Sequence, residues 1–128
     1  MKKLIPVLLS TLLFSGCAAP QGTSAAYRQI SAHEAAVMME EEGDYILLDV
    51  RRPDEFAERH IPGAINIPNE TIGTEEIPEL PNKDQLILVY CRSGRRSKEA
   101  AKKLAALGYT NIVEFGGIND WRGDTVSG

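Results

Sequence analysis

Seven consecutive residues carry the strongest sign of chemistry in this chain: Cys91-Arg92-Ser93-Gly94-Arg95-Arg96-Ser97. Ionised cysteine is a strong nucleophile, and positive charge nearby favours its ionised form. From Arg92 to Lys103 there are six basic residues and one acid, Glu99. The local charge is therefore opposite to the net charge of −4 of the whole chain, and we expect it to attract a small anion to Cys91.

The elements on either side of this segment predict where the thiol lies. Leu86–Tyr90 is a continuous apolar run, typical of a strand buried on both faces, and an amphipathic helix is expected from Ser97 to Leu107. The thiol then lies at the carboxyl end of a strand and faces the amino terminus of a helix, where unpaired amides and the peptide dipole favour an anion. A buried structural cysteine is the alternative for Cys91, but a loop with three arginines and a glycine is not apolar.

The remaining patterns predict an α/β domain with a mainly parallel central sheet and helices on both faces, because strands alternate with helices. Ser31 and Glu34 form a capping-box pattern that begins a helix, and Gly43 ends it. Gly116-Gly117 is expected to turn the chain into a last short helix that carries Trp121. The other predicted elements are strands over Tyr45–Val50, Ala64–Ile67 and Ile112–Phe115, a short helix over Pro53–Glu58, and a loop with one helical turn over Asn69–Asn82.

The composition excludes several classes of protein. A chain of 128 residues holds at most one domain of ordinary size, and its net negative charge argues against a general nucleic-acid binder. Two cysteines and two histidines do not match the ligand spacing of a zinc site, so we expect neither a metal nor a cofactor. Neither His33 nor His60 is a convincing general base for Cys91, but a thiolate that attacks sulfur does not need one.

The first residues have the pattern of an export signal. A basic start is followed by the apolar run Leu4–Phe14 and by two small residues before Cys17, which is typical of a signal peptide. Leu13-Phe14-Ser15-Gly16-Cys17 resembles a bacterial lipobox, although Phe14 stands where leucine is usual. We therefore expect a signal peptide over residues 1–16, a lipidated Cys17 with a flexible tether over residues 17–28, and the folded domain over residues 29–128. An ordinary signal peptide, cut after Ala18 or Ala19, is the alternative.

The resemblance to a lipobox implies an exported protein that is anchored by a lipid to the bacterial cell envelope, on its periplasmic side. Ala18 after the lipidated residue favours the outer membrane if the cell is Gram-negative. A lipid on Cys17 leaves Cys91 as the only free thiol, in a compartment that is oxidising. We therefore expect a reducing or sulfur-relay partner protein, or rapid turnover, to keep Cys91 active.

Three ordered segments resemble the rhodanese family, and together they cover about residues 29–122. Asp49-Val50-Arg51 with Glu55-Phe56 and the segment His60–Pro68 resembles its first signature, and Cys91–Ser97 resembles its active-site loop. Leu107-Gly108-Tyr109, Val113, Gly116-Gly117 and Trp121 resemble its closing signature.

The resemblance implies a thiosulfate sulfurtransferase with a rhodanese-like fold. Cys91 would take a sulfane sulfur from thiosulfate or a similar anion, hold it as a persulfide, and pass it to cyanide or a thiol. The backbone amides of Arg92, Ser93, Gly94, Arg95, Arg96 and Ser97 would surround the persulfide, and the arginines would guide the anion. Asp49, Arg51 and Glu55 would form a supporting charged network beneath the site.

Two other functions remain open from the sequence. A membrane-tethered rhodanese fold could serve as a binding or redox-sensing module. The presence of Cys91 in a complete loop favours the enzyme, because a pure binding module would not need the thiol. The other possibility is a phosphatase or an arsenate reductase. Related enzymes of these kinds have arginine six positions after the cysteine, where this chain has Ser97, so the sequence argues against this function. Two departures from the family pattern are Arg59, where glycine is frequent before His60, and the short segment after Trp121.

Overall fold

The computed structural model describes residues 26–128. The predicted signal peptide over residues 1–16, the predicted lipidation site Cys17 and most of the tether lie outside the described residues. Within residues 26–128, no helix combines the length and the apolar character that crossing a bilayer requires.

Five parallel strands form the single sheet that organises these residues. The strands are β1 (Arg28–Gln29), β2 (Tyr45–Asp49), β3 (Ile65–Asn66), β4 (Leu86–Cys91) and β5 (Ile112–Gly117). Their spatial order is β1-β5-β4-β2-β3. The central strand, β4, is buried along its whole length, as its continuous apolar run predicts.

Helices cover both faces of this sheet, and each face has its own apolar core. Helix α1 (Ala32–Glu41) contributes to one core, and α3 (Arg95–Ala106) contributes its apolar stripe to the other. The short α2 (Pro53–Glu58) follows β2, and single 3-10 turns form at Asn69–Thr71 and Ile118–Asp120. The predicted fold class, a parallel α/β sheet with helices on both faces, is confirmed.

Several predicted boundaries agree with the structure, and the predicted start of α3 was wrong. The capping box at Ser31 is formed in both directions with Glu34. Helix α3 begins two residues before the predicted Ser97, because Gly94 takes a left-handed φ of 118° and turns the chain there. The short last helix predicted after Gly116-Gly117 forms as the single 3-10 turn Ile118–Asp120, with Gly117 as its N-cap and Trp121 directly after it. Both glycines also belong to β5, where Gly117 pairs with Cys91.

Candidate active site

Cys91 is the last residue of β4, at the carboxyl end of the sheet, and only 1% of it is exposed. Its Sγ accepts a hydrogen bond of 3.0 Å from the backbone N–H of Gly94. The residue lies at a surface cleft of about 420 Å³, which is large enough for a small anion. The cleft is lined by Arg52, Glu55, Glu70, Cys91, Arg92, Ser93, Arg95 and Arg96.

The start of α3 follows the loop directly and has backbone amides without a partner inside the helix. The first bond of the helix runs from the Lys98 N–H to the Gly94 carbonyl oxygen, at 3.1 Å. The N–H groups of Arg95, Arg96 and Ser97 precede that bond and therefore have no acceptor within the helix. This end of the helix is suited to an anion, because free amides and the positive end of the peptide dipole meet there.

The three arginines of the loop are not equivalent. Arg92 is exposed and has no ion pair within residues 26–128. Arg95 contacts Glu99 one turn along α3, at 3.2 Å, in an exposed pair of little energetic weight. Arg96 is largely buried and holds Glu55 of α2 with both guanidinium nitrogens, at 2.8 and 3.2 Å. The positive charge left free for a ligand is therefore smaller than the count of arginines indicates.

Glu55 is the most strongly perturbed carboxylate of the site. Its hydrogen bonds to Arg96 lower its pKa from the ordinary 4.5 to about 2, and the Arg52 N–H adds to the effect. The same contact raises the pKa of Arg96. The pair fixes the side chain of Arg96 at the edge of the cleft, so that it orients the loop through α2.

Glu55→Gln is expected to lower the free energy of unfolding at pH 7 by about 1–3 kcal/mol. The full pKa shift would correspond to about 3 kcal/mol, and solvent at the edge of the pair screens part of it. The folded-state pKa lies below the ordinary value of 4.5, so the stabilisation is complete above that pH and is lost as the pH falls toward 2. Urea unfolding of both proteins at pH 7 and at pH 3 measures it, with exposed Glu58→Gln as the control. A difference that is the same at both pH values would contradict the ion pair.

Asp49 and Arg51 form a second ion pair beneath the site. The two side chains are 0% and 5% exposed, and Arg51 Nη2 lies 2.7 Å from Asp49 Oδ2. Arg51 also donates to the carbonyl oxygen of Arg59, and its guanidinium lies 5.8 Å from the centre of the Tyr90 ring. The sequence predicts one network of Asp49, Arg51 and Glu55, but no hydrogen bond joins Glu55 to the other two within residues 26–128.

Glu114 in β5 is a structural part of the site that the sequence analysis did not predict. It is 2% exposed and accepts hydrogen bonds from the Ser97 hydroxyl and from the Gly116 N–H, the latter at 2.9 Å. The Gln29 side-chain amide donates a third, at 3.3 Å. The Ser97 hydroxyl is therefore buried behind the loop, and Ser97 is not among the residues that line the cleft. A lone acid in the buried run Ile112–Phe115 was the signal that could have indicated such a role.

Neither histidine lies in the cleft. His60 is buried, stacks on Phe56 at 3.8 Å between ring centres, and places Nδ1 2.8 Å from the Phe56 carbonyl oxygen. Its backbone pairs in both directions with Val126, so the short carboxyl-terminal segment closes against the end of α2. Arg59 has an extended φ of −167°, a conformation that any residue adopts, so the turn before His60 does not need glycine.

Comparison with known proteins agrees with this geometry. Residues 31–124 match the model of the family described as Rhodanese-like domain. The thiosulfate sulfurtransferase PspE of Escherichia coli is 37% identical over 73 residues, which are 57% of this chain and 70% of that protein. The thiosulfate:glutathione sulfurtransferase of Saccharomyces cerevisiae is 34% identical over 88 residues, 59% of this chain and 63% of that protein.

A solved structure agrees as well. The structure titled "rhodanese with anions from E. coli" superimposes with a TM-score of 0.60 and 34% identity, over 66% of this chain and 99% of that one. With a family match over most of the chain and a cysteine at the end of the central strand, the chain belongs to the family of rhodanese-like domains.

Proposed function

We propose that this protein transfers sulfane sulfur from thiosulfate, or a similar anion, to a thiol or to cyanide through a persulfide on Cys91. The observation that carries the proposal is the position of the Cys91 sulfur, which accepts the Gly94 N–H at 3.0 Å beside the first amides of α3. The terminal sulfur of a persulfide is anionic, and such amides stabilise it. The names of the two sulfurtransferase relatives support the same donor.

The transfer takes two balanced steps. The Cys91 thiolate attacks the outer sulfur of thiosulfate, the sulfur–sulfur bond of thiosulfate breaks, and sulfite leaves with the electron pair. The acceptor then attacks the outer sulfur of the persulfide, and the electron pair of that bond returns to Cys91 as a thiolate. Cyanide leaves as thiocyanate and a thiolate leaves as a persulfide, so neither step needs an oxidant, a reductant or a general base.

The first measurement is the intact mass of the reduced full chain before and after incubation with thiosulfate. We expect a gain of one sulfur atom, which cyanide removes with release of an equal amount of thiocyanate. If no sulfur is gained while a thiol titration shows that Cys91 is reduced, thiosulfate is not the donor. The same measurement with other sulfane donors would then decide whether the chain carries sulfur at all.

We also propose that Cys17 anchors the protein to the cell envelope through a lipid. The basic, apolar and small residues before Cys17 support this proposal. The full chain and its Cys17→Ser variant can be expressed in a Gram-negative host that is fed a labelled fatty acid. We expect label and membrane association for the parent chain only. Membrane association of the variant without label would instead favour an uncleaved signal segment.

A further inference from the structure

A second cavity adjoins the Cys91 cleft, and the two share Glu55 and Arg92 in their walls. It has a volume of about 210 Å³, which is large enough for a small carboxylic acid and too small for a protein segment. The mechanism above does not use it. The charged and polar residues that line this cavity are Arg51, Glu55, Glu58, Arg59, Arg92 and Asn119.

The charges around this cavity leave two guanidinium groups free. Arg51 is held by Asp49, and Glu55 is neutralised by Arg96. By contrast, Arg59 and Arg92 have no ion pair within residues 26–128, and both are exposed toward solvent. The carboxylate of Glu58 offsets only one of these two charges, so the cavity has a positive excess.

The backbones that carry the two arginines are held in place. The Arg59 N–H donates to the Glu55 carbonyl oxygen at 3.1 Å, and its own carbonyl oxygen accepts from buried Arg51. The Arg92 carbonyl oxygen accepts the Asn119 N–H at 3.2 Å. The backbone of each arginine is therefore fixed at the wall of the cavity, and a guanidinium group can bind a carboxylate through two parallel hydrogen bonds.

We propose that this cavity binds the carboxylate of a small thiol that accepts sulfur from Cys91, an inference that rests on the proposed function. Arg59 and Arg92 hold the carboxylate, and the thiol reaches into the neighbouring cleft. The thiolate attacks the outer sulfur of the Cys91 persulfide, a new sulfur–sulfur bond forms, and the old bond breaks with its electron pair on Cys91. The product is the persulfide of the carboxylate-bearing thiol.

Arg59→Gln tests this assignment better than a change at Arg92, because Arg92 also lines the Cys91 cleft. The full chain is assayed with thiosulfate as donor and three acceptors: 3-mercaptopropionate, the neutral 2-mercaptoethanol, and cyanide. We expect Arg59→Gln to lower kcat/KM for 3-mercaptopropionate by about tenfold, through KM, as for one lost charge-assisted hydrogen bond. The values for the other two acceptors should stay within about twofold.

Arg28→Gln is the matched control, since Arg28 is an exposed arginine beside Asn111, at the opposite end of the sheet. It should leave all three acceptors unchanged. An equal loss with all acceptors, or a change confined to the KM of thiosulfate, would overturn the assignment, because the cavity would then serve the fold or the donor. If the parent chain uses cyanide but does not prefer the carboxylate thiol, this inference fails while the proposed function stands. Failure with every acceptor refutes both.

Discussion

Replacing Cys91 by serine is expected to reduce sulfur transfer from thiosulfate to cyanide to the rate seen without protein. A serine hydroxyl is not ionised at neutral pH and cannot carry a sulfane sulfur, so the persulfide cannot form. The free energy of unfolding should change by no more than about 1 kcal/mol, because the hydroxyl is of similar size and can still accept a hydrogen bond from the Gly94 N–H. Thiocyanate release, intact mass and urea unfolding of the same preparations measure all three quantities.

The chain provides its own matched control for this variant. Cys17 is the other cysteine, and Cys17→Ser should still gain one sulfur atom from thiosulfate and transfer it at the parent rate in detergent solution. Turnover by Cys91→Ser, or loss of turnover in Cys17→Ser, would show that the sulfur is carried elsewhere than at the end of β4.

Gly117→Ala is expected to have the second-largest effect, through a purely steric route. A Cβ at this position would lie 1.9 Å from the carbonyl oxygen of Arg92 and 2.5 Å from the nitrogen of Ser93. Both neighbours are backbone atoms of the loop, so either the loop or the end of β5 must move. Displacements of about 1 Å in catalytic groups cost on the order of 100-fold in rate, and we expect a loss of that size in kcat/KM. Overpacking also costs about 1–3 kcal/mol of stability.

Gly73→Ala separates this effect from a general effect of adding a methyl group. A Cβ at Gly73 would meet nothing within 4 Å, so this variant should keep the parent rate and stability. Thiocyanate release and urea unfolding of the two variants, measured side by side, test the prediction. A Gly117→Ala protein as active as the parent would mean that the loop tolerates displacement and that its geometry does not control the reaction.

The strands and helices with strong local patterns could be predicted from the sequence. Leu86–Tyr90 is an apolar run and Tyr45–Val50 is nearly one, so both patterns predict buried strands. The capping box at Ser31 depends only on residues within one turn. Strand β1 could not be predicted, since two exposed residues have no periodicity and pair with β5 only through the fold. The predicted start of α3 at Ser97 was two residues too late, because the residue types around Gly94 do not show that this glycine takes a left-handed conformation.

The position of Cys91 could be predicted, whereas its surroundings could be predicted only in part. A strand followed by a helix places the thiol at a sheet edge, which local patterns suffice to show. Arg96 binds Glu55 across 41 residues of sequence, and Ser97 contacts Glu114 across 17 residues. These contacts form because α2 and β5 pack against the loop, and this packing cannot be predicted from a single sequence.

All strands of the sheet run in the same direction, so the two ends of the domain carry different parts of the chain. Residues 26–27 enter beside Asn111 and Ile112, at the amino ends of the strands, while Cys91 lies at the carboxyl end of β4. Six residues of extended chain separate those ends by about 20 Å. The residues before position 26 therefore join the domain at the end of the sheet remote from the sulfur. Any tag, linker or anchor attached there adds its bulk at the end opposite to the cleft.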